Sequence, residues 1–402
     1  MASAGDITSS TEFKVIEGRS ARFYTLLAVL CVLVAAGLWA AHRMDVEGHQ
    51  ITGMTNQIVW GLPHVFAVLL IVTASGALNA ASLSSVMGQK IYAPYARLSG
   101  LLAMALLIGG LAIITLDLGR PDRLVVALTH FNMTSVFAWN VFLYTGFLAL
   151  TALYLWTLME RRMHRLSRPV GFVLLLWRIV LTTATGLIFG VLVAREAYDA
   201  AIMAPMFIAM SLSFGTAAYA LVLMATFDGC GRPLDDAIVH GMRRMLAIAV
   251  AVVLYFVVVF HAVKLYAEGS QGIERFILVD GGVYPMLFWI GQIVFGSLVP
   301  LSLLLWRGAS ASRMRTGAAC ALVLLGGLVQ VYVIVIGGQA YPLDIFPGSR
   351  IVESGFFDGV VARYRPSGVE WLLSLGGVAG ALLIVVLSMK VLQFVPRVAR
   401  GA

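Results

Sequence analysis

The sequence alternates between long uncharged stretches and short polar segments. A helix needs about 20 consecutive apolar residues to cross the hydrocarbon core of a bilayer, and ten stretches of roughly this length occur along the chain. They lie at 23–41, 60–86, 98–116, 135–158, 170–194, 201–226, 245–263, 283–306, 316–336 and 371–389. The pattern predicts an all-α polytopic membrane protein with ten transmembrane helices, and an even number of crossings puts both termini on the same side.

The composition agrees with this prediction. Of the 402 residues, 60% are hydrophobic and 12% are charged, and the mean hydropathy is +0.92, whereas about 25% of the residues of a soluble domain are charged. The net charge of +8 is dispersed over the polar segments between the helices. It therefore indicates a lipid bilayer and not a nucleic acid as the partner.

The distribution of basic residues predicts the orientation of the chain. Eighteen of the 28 Lys and Arg residues lie in segments on the side of the termini, nine lie on the opposite side, and Arg178 lies inside a predicted helix. By the positive-inside rule both termini are cytoplasmic. In a bacterium the protein would span the inner membrane, with the segments 42–59, 117–134, 264–282 and 337–370 facing the periplasm.

The periplasmic end of the third predicted helix carries an unusual group of charges. The sequence ITLDLGRPDR, at 114–123, places Asp117, Arg120, Asp122 and Arg123 directly after an uncharged run, with Pro121 among them. In one interpretation Asp117 is a proton acceptor at the membrane surface. In the other, the four charges form an interfacial ion network that ends the helix before the proline.

Two other polar residues lie within predicted helices. His64, in WGLPHVFAV, is expected at about the depth of Asp117, where it either exchanges protons with a quinone or binds a neighbouring carbonyl group. Arg178 either extends to the cytoplasmic surface or pairs with carbonyl oxygens of the helices.

The residues also limit the redox chemistry. The chain has three cysteines and contains neither CxxC nor CxxCH, which excludes a self-contained iron–sulfur ligand set and covalent c-type haem. One haem b between His64 and His261 is the first alternative to a quinone site. A secondary transporter is the second, and it is disfavoured because all 20 carboxylates lie in polar segments or at helix ends.

The motif LDLGRPDR, read together with residues 56–82 and 131–146, resembles the NrfD/PsrC family of polysulfide-reductase-type membrane subunits. The resemblance covers essentially the whole chain. Within the family it is greatest for the Dsr-type subunits of sulfur-metabolism complexes, followed by the HybB-type hydrogenase subunits. One departure is that the fifth helix, WRIVLTTATGLIFG at 177–190, lacks the histidine that many relatives carry.

The resemblance implies a fold and a set of partners. It implies two four-helix bundles, formed by helices 2–5 and 6–9, in transmembrane halves 23–194 and 195–394, flanked by tails 1–22 and 395–402. It further implies that menaquinone or ubiquinone is the substrate, that the subunit has no covalently bound cofactor of its own, and that a periplasmic ferredoxin-like iron–sulfur subunit docks on the outer face of a multisubunit redox complex.

The resemblance also implies roles for individual residues. His64 and Asp117 match the proton-carrying groups of the quinone site. The remaining positions are the quinone-binding candidates Arg120, Asn140 and Tyr144, and the motif residues Gly119, Pro121, Asp122 and Arg123, which shape the helix end.

Overall fold

Ten helices long and apolar enough to cross a membrane occur in the part of the chain that the computed structural model describes, residues 12–231, 234–306, 313–342 and 360–396. The predicted fold class is therefore confirmed. The helices are α1 (Ala21–Glu47), α2 (Leu62–Ser85), α3 (Lys90–Leu116), α4 (Val136–Met159), α5 (Arg161–Gly190), α6 (Met203–Gly229), α7 (Asp236–Tyr266), α8 (Val283–Leu305), α9 (Arg313–Ala340) and α10 (Gly368–Val391). Residues 343–359 of the predicted outer loop, residues 1–11 of the predicted N-terminal tail and residues 397–402 of the predicted C-terminal tail lie outside the described residues.

Several helices extend beyond their apolar cores. α7 begins nine residues before its predicted start, because Asp235 caps it by accepting a hydrogen bond from the Ala237 N–H at 2.9 Å. α9 continues through a π-helical segment, Val333–Gly337, to Ala340. An uncharged run therefore locates a membrane helix but underestimates its length, since polar residues at the interface remain helical.

The helices form two bundles that share one interface. α2 packs against α3, and α4 against α5, while α6 packs against α7 and α9, and α8 against α9. The bundles meet where α6 contacts α2 and α5. At the periphery, α10 packs against α3 and α2, and α1 packs against α10. A two-stranded antiparallel ladder, β1 (Phe13–Lys14) with β2 (Val395–Pro396), joins the segments that flank α1 and α10.

One end of the molecule carries residues 117–123, and we call it the motif face. Its connecting segments contain short elements and bind one another across both bundles. The described elements are the 3₁₀ turns His49–Ile51, Pro121–Arg123 and Glu268–Ser270, the helices Leu124–Thr129 and Gln271–Arg275, and the π-helical turn Phe276–Asp280. This face is thus a folded surface.

Arg178 pairs with oxygen atoms inside the protein. Its Nη1 donates to the Ser75 carbonyl and to Asn79 Oδ1, each at 2.8 Å, and Asn79 Nδ2 donates to Thr216 Oγ1 at 2.9 Å. The side chain is buried. Of the two interpretations, the structure shows pairing within the protein, and Arg178 thereby connects α5 with α2 and, through Asn79, with α6.

The contact between the two bundles leaves no space for a side chain at Gly76 or Gly215, because a Cβ at either position would overlap the backbone of the other helix. We expect Gly215→Ala to lower the free energy of unfolding by about 1–3 kcal/mol, measured as a lower thermal unfolding temperature in detergent. Gly229→Ala is the matched control, since nothing lies within 4 Å of a Cβ there. Equal unfolding temperatures for the two variants would contradict the packing.

Candidate functional site

His64 lies in the first turn of α2, at the motif face. The helix begins at Leu62, with Gly61 as its N-cap and Pro63 in the first turn, a position where the missing N–H of proline costs nothing. The imidazole is 23% exposed. It is therefore held at a helix terminus and remains partly accessible.

Asp117 is the residue that ends α3. Its N–H donates to the Ile113 carbonyl at 2.9 Å, and its side chain is fully buried. The negative end of a helix dipole disfavours a carboxylate at this terminus, so capping does not explain the residue. His64 Nδ1 lies 2.9 Å from Asp117 Oδ2, which brings together the two residues that the sequence predicts as proton carriers.

The two groups are close but poorly aligned. Despite the 2.9 Å distance, the geometry does not meet the angular requirements of a hydrogen bond, and neither His64 Nδ1 nor either Asp117 oxygen has a partner among the described residues. The two side chains are therefore neighbours that remain available to a third group. Buried polar atoms without partners are rare, so a bound hydroxyl or carbonyl fits this position.

An aromatic cluster flanks the pair. The Trp60 ring lies 6.2 Å from His64 at 23° and 6.4 Å from Tyr198 at 25°. Phe137 and Phe189 contact Trp60 edge-on, at 6.1 and 5.9 Å between ring centroids. Flat rings favour such stacked and edge-on neighbours. The site therefore combines proton-accepting atoms with surfaces suited to a planar ligand.

Gln339, at the end of α9, holds the segment that precedes His64. Its Oε1 accepts hydrogen bonds from the N–H groups of Val59 and Trp60, both at 3.0 Å. Its Nε2 donates to the carbonyls of Trp60 at 3.0 Å and Val335 at 2.8 Å. One amide side chain thus fixes the position of the Trp60 backbone.

Arg195, from the segment between α5 and α6, adds a second clamp. Nη2 donates to the Gln57 carbonyl at 2.6 Å and Nη1 to the Gln339 carbonyl at 3.3 Å. Burial lowers the pKa of Arg195 from its ordinary value, but a guanidinium remains charged in proteins. The Arg195 guanidinium therefore links the segment that contains Gln57 to the end of α9, which contains Gln339.

Glu370 and Tyr364 support the start of α2. The Leu62 N–H donates to Tyr364 Oη at 2.6 Å, and that hydroxyl donates to Glu370 Oε1 at 2.5 Å. Glu370 Oε2 accepts from the N–H groups of Gly53 and Ser367, both at 2.8 Å. Burial, and then the hydrogen bond to Glu370, raise the pKa of Tyr364, so its hydroxyl stays protonated and can donate.

Sequence reasoning did not find these supporting residues. The spacing of Ser367 and Glu370 forms a capping box at the start of α10, a local signal that is readable from sequence. Gln339 and Arg195 have no comparable signal, because most of their partners lie about 140–280 residues away in the chain.

Two other predicted site residues, Asn140 and Tyr144, form hydrogen bonds with α5 and not with the His64–Asp117 pair. Asn140 Nδ2 donates to the Ala184 carbonyl at 3.1 Å, its Oδ1 accepts from Thr185 Oγ1 at 3.2 Å, and Tyr144 Oη is 3.5 Å from the same hydroxyl. These contacts join α4 to α5. Their predicted contact with quinone stays a prediction.

The remaining charges of the motif face outward. Arg120, Asp122 and Arg123 are exposed, as are Gly119 and Pro121. Within the described part of the chain, none of the three charged residues forms an ion pair. The interfacial ion network considered for this motif is thus not formed among these residues.

Comparison with known proteins gives a consistent result over most of the chain. A family model described as polysulphide reductase, NrfD, matches residues 50–342. The Hdr-like menaquinol oxidoreductase integral membrane subunit of Archaeoglobus fulgidus is 27% identical over 399 residues, which are 96% of this chain and 97% of that protein. The two proteins therefore match almost end to end.

Two further relatives extend the comparison. The menaquinone reductase integral membrane subunit of Nitratidesulfovibrio vulgaris is 22% identical, over 94% of this chain and 93% of its own. Protein NrfD of Escherichia coli is 25% identical over 315 residues, which are 71% of this chain and 96% of that protein. Because the family model matches well over half of the residues, the chain belongs to the polysulphide reductase NrfD family.

Proposed function

We propose that the protein is the quinone-reactive membrane anchor of a redox complex, and that it exchanges electrons between the membrane quinone pool and an iron–sulfur partner subunit. The observation that carries the proposal is the His64–Asp117 pair, with its 2.9 Å separation and its buried, unpartnered carboxylate oxygens. Relatives named for menaquinol oxidation and menaquinone reduction support quinone as the substrate.

The pair is suited to the protons of the reaction. Oxidation of a quinol to a quinone releases two electrons and two protons, and reduction takes up the same number. Asp117 can accept a hydrogen bond from a quinol hydroxyl, because both of its oxygens lack partners among the described residues. The short distance to His64 then allows a proton to pass from the carboxyl group to the partly exposed imidazole and on to solvent.

The aromatic cluster gives the site its shape. A quinone head group is planar, so it can stack on or lie edge-on to Trp60 and Phe137 while its oxygen atom meets Asp117. Phe137 is exposed, at 50%, so a quinone can reach the site from the lipid on this side. Menaquinone or ubiquinone would both fit this chemistry, and the relatives' names favour menaquinone.

The motif face is the proposed docking surface of the partner. Arg120 and Arg123 are exposed there, where they can bind carboxylates of an iron–sulfur subunit. The excess of Lys and Arg on the opposite side supports cytoplasmic termini and a periplasmic motif face. Placement of the complex in sulfur metabolism depends on the Dsr-type resemblance alone.

We expect Asp117→Asn and His64→Ala each to reduce quinol-linked electron transfer to the partner by about 100-fold or more, because proton acceptors contribute 10²–10⁴-fold to such steps. The measurement is reduction of the partner's cluster by a menaquinol analogue in the assembled complex. Asp122→Asn removes the same charge from an exposed residue of the motif and should leave the rate unchanged. Wild-type rates in both site variants, or a haem absorbance band lost in His64→Ala, would overturn the assignment.

We expect Glu370→Gln to lower the free energy of unfolding by about 1–3 kcal/mol, because it replaces a carboxylate that accepts from Gly53, Ser367 and Tyr364. The quinol-linked rate should fall as well, since α2 is then held less firmly. Thermal unfolding and the same electron-transfer assay measure the two effects. Glu268→Gln, at an exposed residue, is the control, and equal behaviour of the two variants would show that Glu370 has no supporting role.

A further inference from the structure

The second bundle contains its own acid–base pair. His261, near the end of α7, places Nδ1 at 2.6 Å from Glu274 Oε2, on the short helix Gln271–Arg275. The carboxylate side chain is 2% exposed and the imidazole 12%. α7 corresponds in chain order to α3 of the first bundle, so both bundles carry a histidine–carboxylate pair at the motif face.

This pair lines a small cavity. The cavity has a volume of about 30 Å³ and is otherwise mainly apolar, with Gln292 and Gln330 as its remaining polar residues. A water molecule needs roughly 10–15 Å³ of such volume, so the cavity has room for about two water molecules and is too small for a quinone ring.

A smaller cavity continues deeper into the bundle. It measures about 10 Å³, shares Gln292 and Gln330 with the first cavity, and adds the hydroxyl groups of Ser213 and Ser297. Gln330 is 3% exposed, and its Nε2 has no hydrogen-bond partner among the described residues. A buried amide donor without a partner is unfavourable, and a water molecule in the cavity would supply the missing acceptor.

The helices around the larger cavity are locally unwound. Three π-helical segments, Phe276–Asp280, Leu287–Leu298 and Val333–Gly337, each supply residues to its lining. The membrane helices of the first bundle, α2–α5, whose backbone the structure describes throughout, have none. π-Helical turns are rare and occur frequently at functional sites, so this clustering independently indicates a site.

We propose that the second bundle contains a hydrated acid–base site, in which water held by Gln330 exchanges a proton with His261. The contact with Glu274 assigns the proton of the neutral imidazole to Nδ1, which leaves the Nε2 lone pair as the proton acceptor. A hydronium ion entering the cavity transfers one proton to Nε2 and becomes water. The product is an imidazolium paired with the Glu274 carboxylate, and the reverse step restores both. This site does not depend on quinone chemistry at His64.

Other charged groups lie near the pair and define its electrostatic surroundings. Lys264, one turn further along α7, donates to the carbonyls of Glu196 at 2.7 Å and Tyr198 at 2.6 Å, and interacts electrostatically with Glu274. Other titratable groups on the elements packed around the pair include Arg195, Glu196, Tyr198, Asp199, Arg275, Asp280, Tyr284, Tyr332 and Tyr341. Arg275 pairs with Asp280 at 2.7 Å, whereas the carboxylate of Glu274 contacts His261.

The proposal is tested by solid-state NMR of the full chain in lipid bilayers, with ¹⁵N-labelled histidine. The chain has seven histidines, and His261→Asn identifies the signal of interest. We expect that signal to show an unprotonated Nε2 in contact with water at alkaline pH, and a doubly protonated ring on acidification. At a fixed mildly acid pH, Glu274→Gln should lower the ratio of doubly to singly protonated His261 about tenfold or more.

Gln330→Leu, which removes the amide at similar volume, should abolish the contact between Nε2 and water, while Asp117→Asn should leave the signal unchanged. A dry Nε2, or a protonation state that is constant with pH, would overturn the proposal and identify a purely structural ion pair. Both observations are made on the wild-type protein, and the only variant they need is His261→Asn, which assigns the signal.

Discussion

The segment 52–61, which leads into α2, is not helical. Its backbone N–H and C=O groups therefore need partners elsewhere in the protein, and the site depends on this constraint. Part of its backbone is buried, at Gln57, Ile58 and Gly61, and polar groups that are shielded from water must be paired within the protein. Gln339 binds Val59 and Trp60, Tyr364 binds Leu62, and the Glu370 carboxylate binds a further N–H. Each group left unpaired would cost about 1–3 kcal/mol.

This support has a consequence for the chemistry. The groups that hold the start of α2 come from α9, α10 and the segment before α10, about 280–320 residues away in the chain. His64 is therefore positioned by the folded molecule as a whole, and Asp117 lies beside it as the end of α3. A site fixed by such distant hydrogen bonds is preorganised, because its residues need not move when ligand binds.

The two bundles use related residues for different environments. In the first, His64 and Asp117 adjoin aromatic rings and a partly exposed approach, which suits a planar ligand from the lipid. In the second, His261 and Glu274 face a cavity of about 30 Å³, which suits water. The arrangement of helices is shared, whereas the groups beside each pair differ, with aromatic rings in the first bundle and a small cavity in the second.

The sequence by itself determined the ten helices, the motif at the end of α3 and the similar depth of His64 and Asp117. These features are local, since each residue advances a helix by about 1.5 Å and uncharged length determines what spans a bilayer. Only the tertiary structure decided that Glu274 meets His261 and that Gln339 meets Trp60. Lateral neighbours depend on how helices pack, and apolar surfaces permit many packings, so no spacing in the chain reveals them.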